Sequence, residues 1–421
     1  MTMSHLMSTD DHLAQDPLHT GDPVDAARAY LVDTALTAGS VGRVGLELEL
    51  HLVDHGRPAS RPSWSQVQRL VADLPPMPSG SSVTVEPGGQ LELSTPPLDD
   101  VVEAVAALSL DRAVLAASLH DGGFGCAPIG SDPARPPRRV NPATRYQAME
   151  RHFAGVGCVD AARAMMSSTA ALQVNLDAGP EAEWEQRLDR VHLLGPVLIA
   201  LSSTSPYLGG TTTGWHSMRQ AAWQGLDPAR TDRFPAAAPA QAWASYALAA
   251  PVMAVRDGEV ATEVAGTVAF EDWLQGSGPV GRPPTLDDLD FHLTTLFPPV
   301  RPRGYLEIRY IDALPDRWWP AVAAVVATLM DDPVAADQVV DACEPVRDAW
   351  ELAAREGTRD PLLLRAVRQC LDIAASRAPA ALRGEVEELA ELFASGRSPS
   401  SVLRGRIEAV GPVRALEEES R

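Results

Sequence analysis

Lysine is absent from this 421-residue sequence: all 35 basic residues other than histidine are arginine. That absence removes whole mechanisms. No lysine can hold phosphates in a P-loop or a kinase-type cleft, and none can form a Schiff base with a carbonyl substrate or pyridoxal phosphate. Any phosphate handled here must be held by arginine, backbone amides and metal. Positive charge is scarce as a whole, since 56 acidic residues leave a net charge of −21, which argues against a nucleic-acid or anionic-membrane partner. An acidic chain can still take an anionic ligand where metal ions and local arginines reverse the field. Cysteine is rare: Cys126, Cys158, Cys343 and Cys370 form no C-x-x-C pair and no zinc-type spacing, so they read as reduced thiols of a cytoplasmic protein. The longest apolar run, Ala321 to Met330, stops at Asp331-Asp332 and is too short to span a bilayer. Neither an H-E-x-x-H zinc pattern nor a G-x-S-x-G elbow occurs.

What the sequence does have is an alternation of apolar and acidic residues. In Val44-Gly45-Leu46-Glu47-Leu48-Glu49-Leu50, a β-strand sends the three leucines into a core and puts Glu47 and Glu49 on the opposite face. Gln90-Leu91-Glu92-Leu93 places Gln90 and Glu92 together, and Tyr305-Leu306-Glu307-Ile308-Arg309 sets Glu307 beside Arg309. Neighbouring carboxylates repel, so such a face either meets open water, as antiparallel sheets commonly do, or holds a cation. Recurrence in three distant segments favours one sheet whose polar face collects divalent metal. Hard cations such as Mg²⁺ prefer carboxylate oxygen and bridge it to substrate phosphates. Glu47, Glu49, Glu86, Glu92 and Glu307 could hold two or more such ions. Gln173 and Asn175 add neutral oxygens or substrate hydrogen bonds. Arg309 could grip a phosphate bidentately, or pair with Glu307 or Asp312. His51 continues the Glu47/Glu49 face, as a ligand or as a structural histidine.

Helical spacing is expected from Asp25 to Ala38, Ser65 to Leu74, Arg145 to Phe153, and Glu181 to Leu201 with a break at Gly195-Pro196. A further helix runs to about Leu119, capped by Asp99 or Asp100. Strands are expected over Val44 to Val53, on both sides of the Glu86-Pro87-Gly88-Gly89 turn, and within Met165 to Asp177. Gly122 to Asn141 and Leu226 to Ala240 read as loops, and Pro315 onward as almost wholly helical. Strand pairs with interspersed helices argue for an α+β fold rather than parallel βαβ units. The expected organisation is a disordered lead-in over 1–23, a catalytic domain over 24–330, and a helical C-terminal region over 331–421 packed on that domain.

Several of these segments are also familiar as motifs. V-G-L-E-L-E-L (44–50), V-E-P-G-G-Q-L-E-L-S-T-P (85–96), R-Y-Q-A-M (145–149), L-Q-V-N-L-D (172–177), S-M-R-Q-A-A-W (217–223), H-L-T-T-L-F-P-P-V-R (292–301) and Y-L-E-I-R (305–309) resemble, in order, the glutamate–cysteine ligases of plants and proteobacteria. The resemblance covers roughly Val41 to Met330, and extends in particular to the actinobacterial branch that makes γ-glutamylcysteine for ergothioneine. It implies a mostly antiparallel sheet folded into a funnel, like the catalytic half of glutamine synthetase, with ATP and metals at one end and amino acids at the other. Glu47, Glu49, Glu92 and Glu307 match acidic metal ligands of that family, and Glu86 falls near another. Gln173 stands where some relatives have a histidine ligand. Arg219 and Arg309 match arginines near substrate or phosphate.

The resulting expectation is an ATP- and Mg²⁺-dependent ligase for glutamate and cysteine acting through an acyl phosphate, with neither nucleic acid nor membrane as partner. A ligase for another acceptor amine remains open, because no residue here reads a thiol by itself. So does a glycoside hydrolase using two carboxylates without metal, and so does a non-catalytic cation-binding protein.

Overall fold

In the computed structural model the described residues are Leu18 and 21–421, so the expected lead-in over 1–23 lies almost wholly outside them. The period-two stretch forms β1 (Val44–Asp54), which runs through the middle of a seven-stranded sheet. Along the chain it is followed by β2 (Ser82–Val85), β3 (Leu91–Ser94), β4 (Phe124–Ala127) and β5 (Ala171–Asp177). Two small hairpins follow, β6 (Tyr207–Leu208) with β7 (Thr211–Thr212) and β8 (Ala254–Asp257) with β9 (Val260–Glu263). Then come β10 (Val300–Pro302) and β11 (Tyr305–Asp312). The main sheet is ordered β10–β11–β5–β1–β3–β2, with β4 pairing to the far end of β1, and every pair is antiparallel. The α+β reading holds, with the sheet open at its edges rather than closed on itself.

The apolar half of each alternating segment explains why the sheet forms. Leu46, Leu48, Leu50, Leu91, Leu93, Leu172 and Val174 are fully buried on one face, each contributing roughly 1.5–3 kcal/mol. Helices Val101–Asp121 and Trp319–Asp331 pack against them. The first of these starts at Asp100, whose carboxylate accepts the Glu103 N–H at 2.9 Å. The turn between β2 and β3 needs its glycines. Gly89 has φ +82°, and a Cβ on Gly88 would sit 2.2 Å from the Ser167 carbonyl oxygen.

Two stretches expected as loops carry regular structure. Phe124-Gly125-Cys126-Ala127 inside Gly122–Asn141 is β4, a strand without alternation whose order comes from pairing with His51–Asp54 and from the Cys126 N–H donating to the Ser420 carbonyl. Leu226–Ala240 contains the short helix Pro228–Thr231 and runs into the helix Pro239–Ala249. A helix over Val159–Ser168, hidden by its short alanine-rich sequence, leads into β5. The break expected at Gly195-Pro196 is present, dividing Trp184–Leu193 from Gly195–Ser202. Among the described residues no helix is long and apolar enough to cross a membrane.

Candidate active site

Cross-strand register turns the sequence alternation into rows of polar side chains. Glu49 lies opposite Glu92, Glu47 opposite Gln173, and Asn175 opposite Glu307. Directly paired residues share a face, so these groups project together from the side away from the leucine core. The β2–β3 turn adds Glu86, and helix Met218–Gln224 adds Arg219 and Trp223, four residues apart and therefore on one side of it. The result is a cleft of about 240 Å³ lined by Glu47, Glu49, Glu86, Glu92, Gln173, Arg219, Glu307 and Arg309, among others. Asn175 is the exception among the predicted residues. It opens onto an adjoining cavity of about 440 Å³ and reaches the site by donating to Glu47 Oε1 at 2.9 Å.

The acids divide into two electrostatic classes. Glu47, Glu49 and Glu92 are hydrogen-bonded to neutral donors: Gln173 and Asn175 to Glu47, the Ala171 N–H to Glu49, Thr84 and Ser94 to Glu92. Burial pushes the Glu47 carboxyl up to about 7, with Glu307 and Glu92 adding repulsion. Burial likewise raises Glu49, against the pull of Arg219, and raises Glu92, which also feels Glu49. Glu86 is raised well above the usual carboxylate range, by burial and then by Glu92 and Glu49. A positive charge placed among these four acids would favour the ionised form of each.

Glu307 is different. Burial acts to raise it, but Arg301 and Arg309 outweigh that and hold it near 2. Arg301 grips both its oxygens, Nε at 2.5 Å and Nη2 at 2.9 Å, and Arg309 stands 3.2 Å away. Of the two pairings open to Arg309 in the sequence, Glu307 is the one present. Arg309 also donates to Gln173 Oε1 at 2.8 Å, which fixes that amide. Among the described residues, buried N–H groups remain without partners at Arg309 Nε and at Arg219 Nε and Nη1.

An all-oxygen, anionic donor set without basic partners at Glu47, Glu49, Glu86 and Glu92 fits a hard divalent cation. Among the described residues no three His, Cys, Asp or Glu side chains already converge on a single point. His51 does not join this set. It is fully buried beside Asp132, Arg135 and Arg61, where burial drives its pKa down to about 3. Gly122-Gly123-Phe124-Gly125 is a turn entering β4, away from the cleft.

Some cleft residues were not singled out from sequence. Arg301 becomes legible only with the register: Pro302 pairs with Leu306 across Arg303-Gly304-Tyr305, with Gly304 at φ +79°, and this sets Arg301 opposite Glu307. Arg145, which opens the R-Y-Q-A-M motif without a role assigned from sequence, lines the cleft and donates to Thr294. Trp223 lies under the guanidinium groups of Arg219 and Arg309, each 5.9 Å from its ring. Met149, Met165 and Met166 complete an apolar wall with no sequence signal beyond helical spacing.

The chain matches known proteins along nearly its whole length. The family model described as glutamate-cysteine ligase family 2 (GCS2) matches residues 43–419. A relative named glutamate–cysteine ligase EgtA, from Mycolicibacterium smegmatis, is 48% identical over 398 residues, 94% of this chain and 94% of the relative. A protein of the same name from Mycobacterium tuberculosis is 47% identical over 412 residues, 96% of this chain and 95% of the relative. Among solved structures, the glutamate–cysteine ligase of Francisella tularensis in complex with AMP superposes with a TM-score of 0.54 at 13% identity, covering 91% of this chain and 88% of that one. At that identity the likeness is one of fold.

Proposed function

The chain belongs to glutamate–cysteine ligase family 2, and from that premise we propose that it joins the γ-carboxylate of glutamate to the amine of cysteine, with cleavage of ATP to ADP and phosphate. A carboxylate is a poor acylating agent at neutral pH, so the γ-carboxylate oxygen first attacks the γ-phosphorus of ATP, releasing ADP and forming γ-glutamyl phosphate. The cysteine nitrogen then attacks the acyl carbon, phosphate leaves, and γ-glutamylcysteine results. No residue need be covalently modified, in keeping with a chain that lacks lysine.

The observation that carries this reading is the division of charge inside the cleft. Among the described residues no arginine or histidine forms an ion pair with Glu47, Glu49, Glu86 or Glu92, while Arg219 and Arg309 line the same cleft. In this proposal the four glutamates hold Mg²⁺, with Glu307 as a fifth member whose charge is shared with Arg301 and Arg309. Bound Mg²⁺ supplies charge neutralisation at the phosphates. Arg309 and Arg219 present fixed donors to the transferring phosphoryl group, where preorganised positive charge lowers the barrier without reorganisation. Gln173 holds Arg309 in place and Asn175 orients Glu47. In this proposal both amides also contact the nucleotide. The proposed organisation keeps 24–330 as the catalytic unit and 331–421 as helices packed on it, in a cytoplasmic enzyme supplying γ-glutamylcysteine for ergothioneine.

The test is ADP release by the purified protein with glutamate, ATP and Mg²⁺ against a panel of acceptor amino acids. Cysteine should be the best acceptor, and EDTA should abolish turnover. A different preferred amine would move the substrate assignment, and full activity in EDTA would remove the metal from the reading.

A further inference from the structure

The antiparallel register of β11 against β5 slips by one residue between Ile308 and Ile311. Without that bulge, strict alternation would put Asp312 on the face opposite Glu307 and Arg309. With it, Asp312 pairs with Ala171, which shares its parity with Gln173, and so Asp312 returns to the polar face. A bulge that re-aims one side chain is a recognised device beside active sites. Asp312 is buried, only 1% exposed.

Its carboxylate is fully occupied. Oδ2 accepts from the Thr204 N–H at 2.9 Å and from Ser205 Oγ at 2.7 Å, and Oδ1 accepts from Ser217 Oγ at 2.8 Å. A carboxylate can only accept, so both hydroxyls must point their protons at it. That leaves both serine oxygens free to accept from the helix Met218–Gln224. Ser205 Oγ takes the Arg219 N–H and Ser217 Oγ takes the Gln220 N–H, each at 3.1 Å. The Arg219 side chain then donates Nη2 to the Arg309 carbonyl at 2.6 Å, back on β11. The loop is closed: strand β11 holds Asp312, Asp312 orients two serines, the serines hold the helix, and the helix returns Arg219 to β11. Gly130 makes room for it, since a Cβ there would lie 2.5 Å from Asp312 Oδ2.

Resting on the ligase reading above, we infer that Asp312 is the positioning residue for Arg219, acting through Ser205 and Ser217 to fix where that guanidinium stands in the cleft. Asparagine at 312 presents an N–H₂ where one hydroxyl proton now points, so one serine must turn its proton away and loses the carboxylate that fixes its orientation toward the helix.

The experiment is a double-mutant cycle on ADP release with glutamate, cysteine and ATP, using Arg219→Lys, Asp312→Asn and the double variant. Each single change should lower kcat/KM at least about tenfold, with the same division between kcat and KM, and the double should lose little more than either alone. Losses that multiply would overturn the positioning of Arg219 alone. So would an Asp312→Asn protein that melts earlier yet keeps full kcat/KM per folded molecule. If Asp312→Asn fails to fold, the double change Ser205→Ala/Ser217→Ala takes its place in the cycle, with the same coupling expected and full activity overturning the inference. A wild-type protein without turnover would bring down the ligase reading, and this inference with it.

Discussion

Replacing Glu47 by glutamine should make the metal-free protein more stable while destroying its activity. The Glu47 carboxyl stands at about 7 instead of its usual 4.5 because of burial and the charges of Glu307 and Glu92. That rise corresponds to roughly 3 kcal/mol against keeping the group ionised in the folded state. The sign follows from linkage. An acid whose folded pKa is raised imposes no penalty below the unfolded value near 4.5, and an increasing one as pH climbs through the folded value near 7. Glutamine removes the charge and still fits the hydrogen bonds. Gln173 is fixed by Arg309 and continues to donate to position 47. Asn175 can turn over and offer its Oδ1, which is buried without a partner. For a chain of this length the unfolding entropy is about 0.9 kcal/mol per kelvin, so Glu47→Gln should melt roughly 3 °C above wild type at pH 8 in EDTA. The two should coincide near pH 4.5, and saturating Mg²⁺ with ATP should close the gap at pH 8 by stabilising wild type. Scanning calorimetry of both proteins at the two pH values decides the matter. A variant that melts below wild type at pH 8, or a gap independent of pH, would refute the idea that burial and the neighbouring acids disfavour the Glu47 carboxylate.

Arg309→Lys keeps a positive charge but loses the planar fork, and it should lower kcat/KM at least about tenfold with the fold intact, because Arg301 still neutralises Glu307; near-wild-type kinetics would show that a point charge suffices. His292 is held down to about 3 by burial, with Arg230 adding to it, so the folded state refuses a proton that the unfolded chain accepts below about 6.5. Glutamine there can still donate to the Ala247 carbonyl that His292 Nε2 meets at 2.9 Å. The stability difference should therefore move in favour of His292→Gln by up to about 1.4 kcal/mol per pH unit below 6.5, and a urea-derived difference that stays constant from pH 7 to 5 would contradict it.

The part of the site built on strand alternation was legible because period two is a local property. Once Leu46, Leu48 and Leu50 are assigned to a core, Glu47 and Glu49 have nowhere else to go, and the same holds for Glu92 and Glu307. What was not legible depends on pairing between distant segments. The one-residue slip in β11 that returns Asp312 to the polar face leaves no trace in Y-L-E-I-R-Y-I-D, since it arises only in register with β5. Strand β4 has no alternation of its own and owes its order to the end of β1. The capture of Glu307 by Arg301 follows from a hairpin whose turn residues were visible but whose consequence for charge required the register. Family motifs singled out Arg219, which lines the cleft, whereas its support by Ser205, Ser217 and Asp312 comes from three separate stretches of chain.

Isotope transfer tests the central claim most directly. With ¹⁸O in the γ-carboxylate of glutamate, activation through γ-glutamyl phosphate requires one labelled oxygen to leave with inorganic phosphate as γ-glutamylcysteine forms. Labelled phosphate, produced in step with the peptide and dependent on cysteine, is the predicted result. Label retained wholly in the peptide, with unlabelled phosphate, would contradict activation at the γ-carboxylate and with it the chemistry assigned to this cleft.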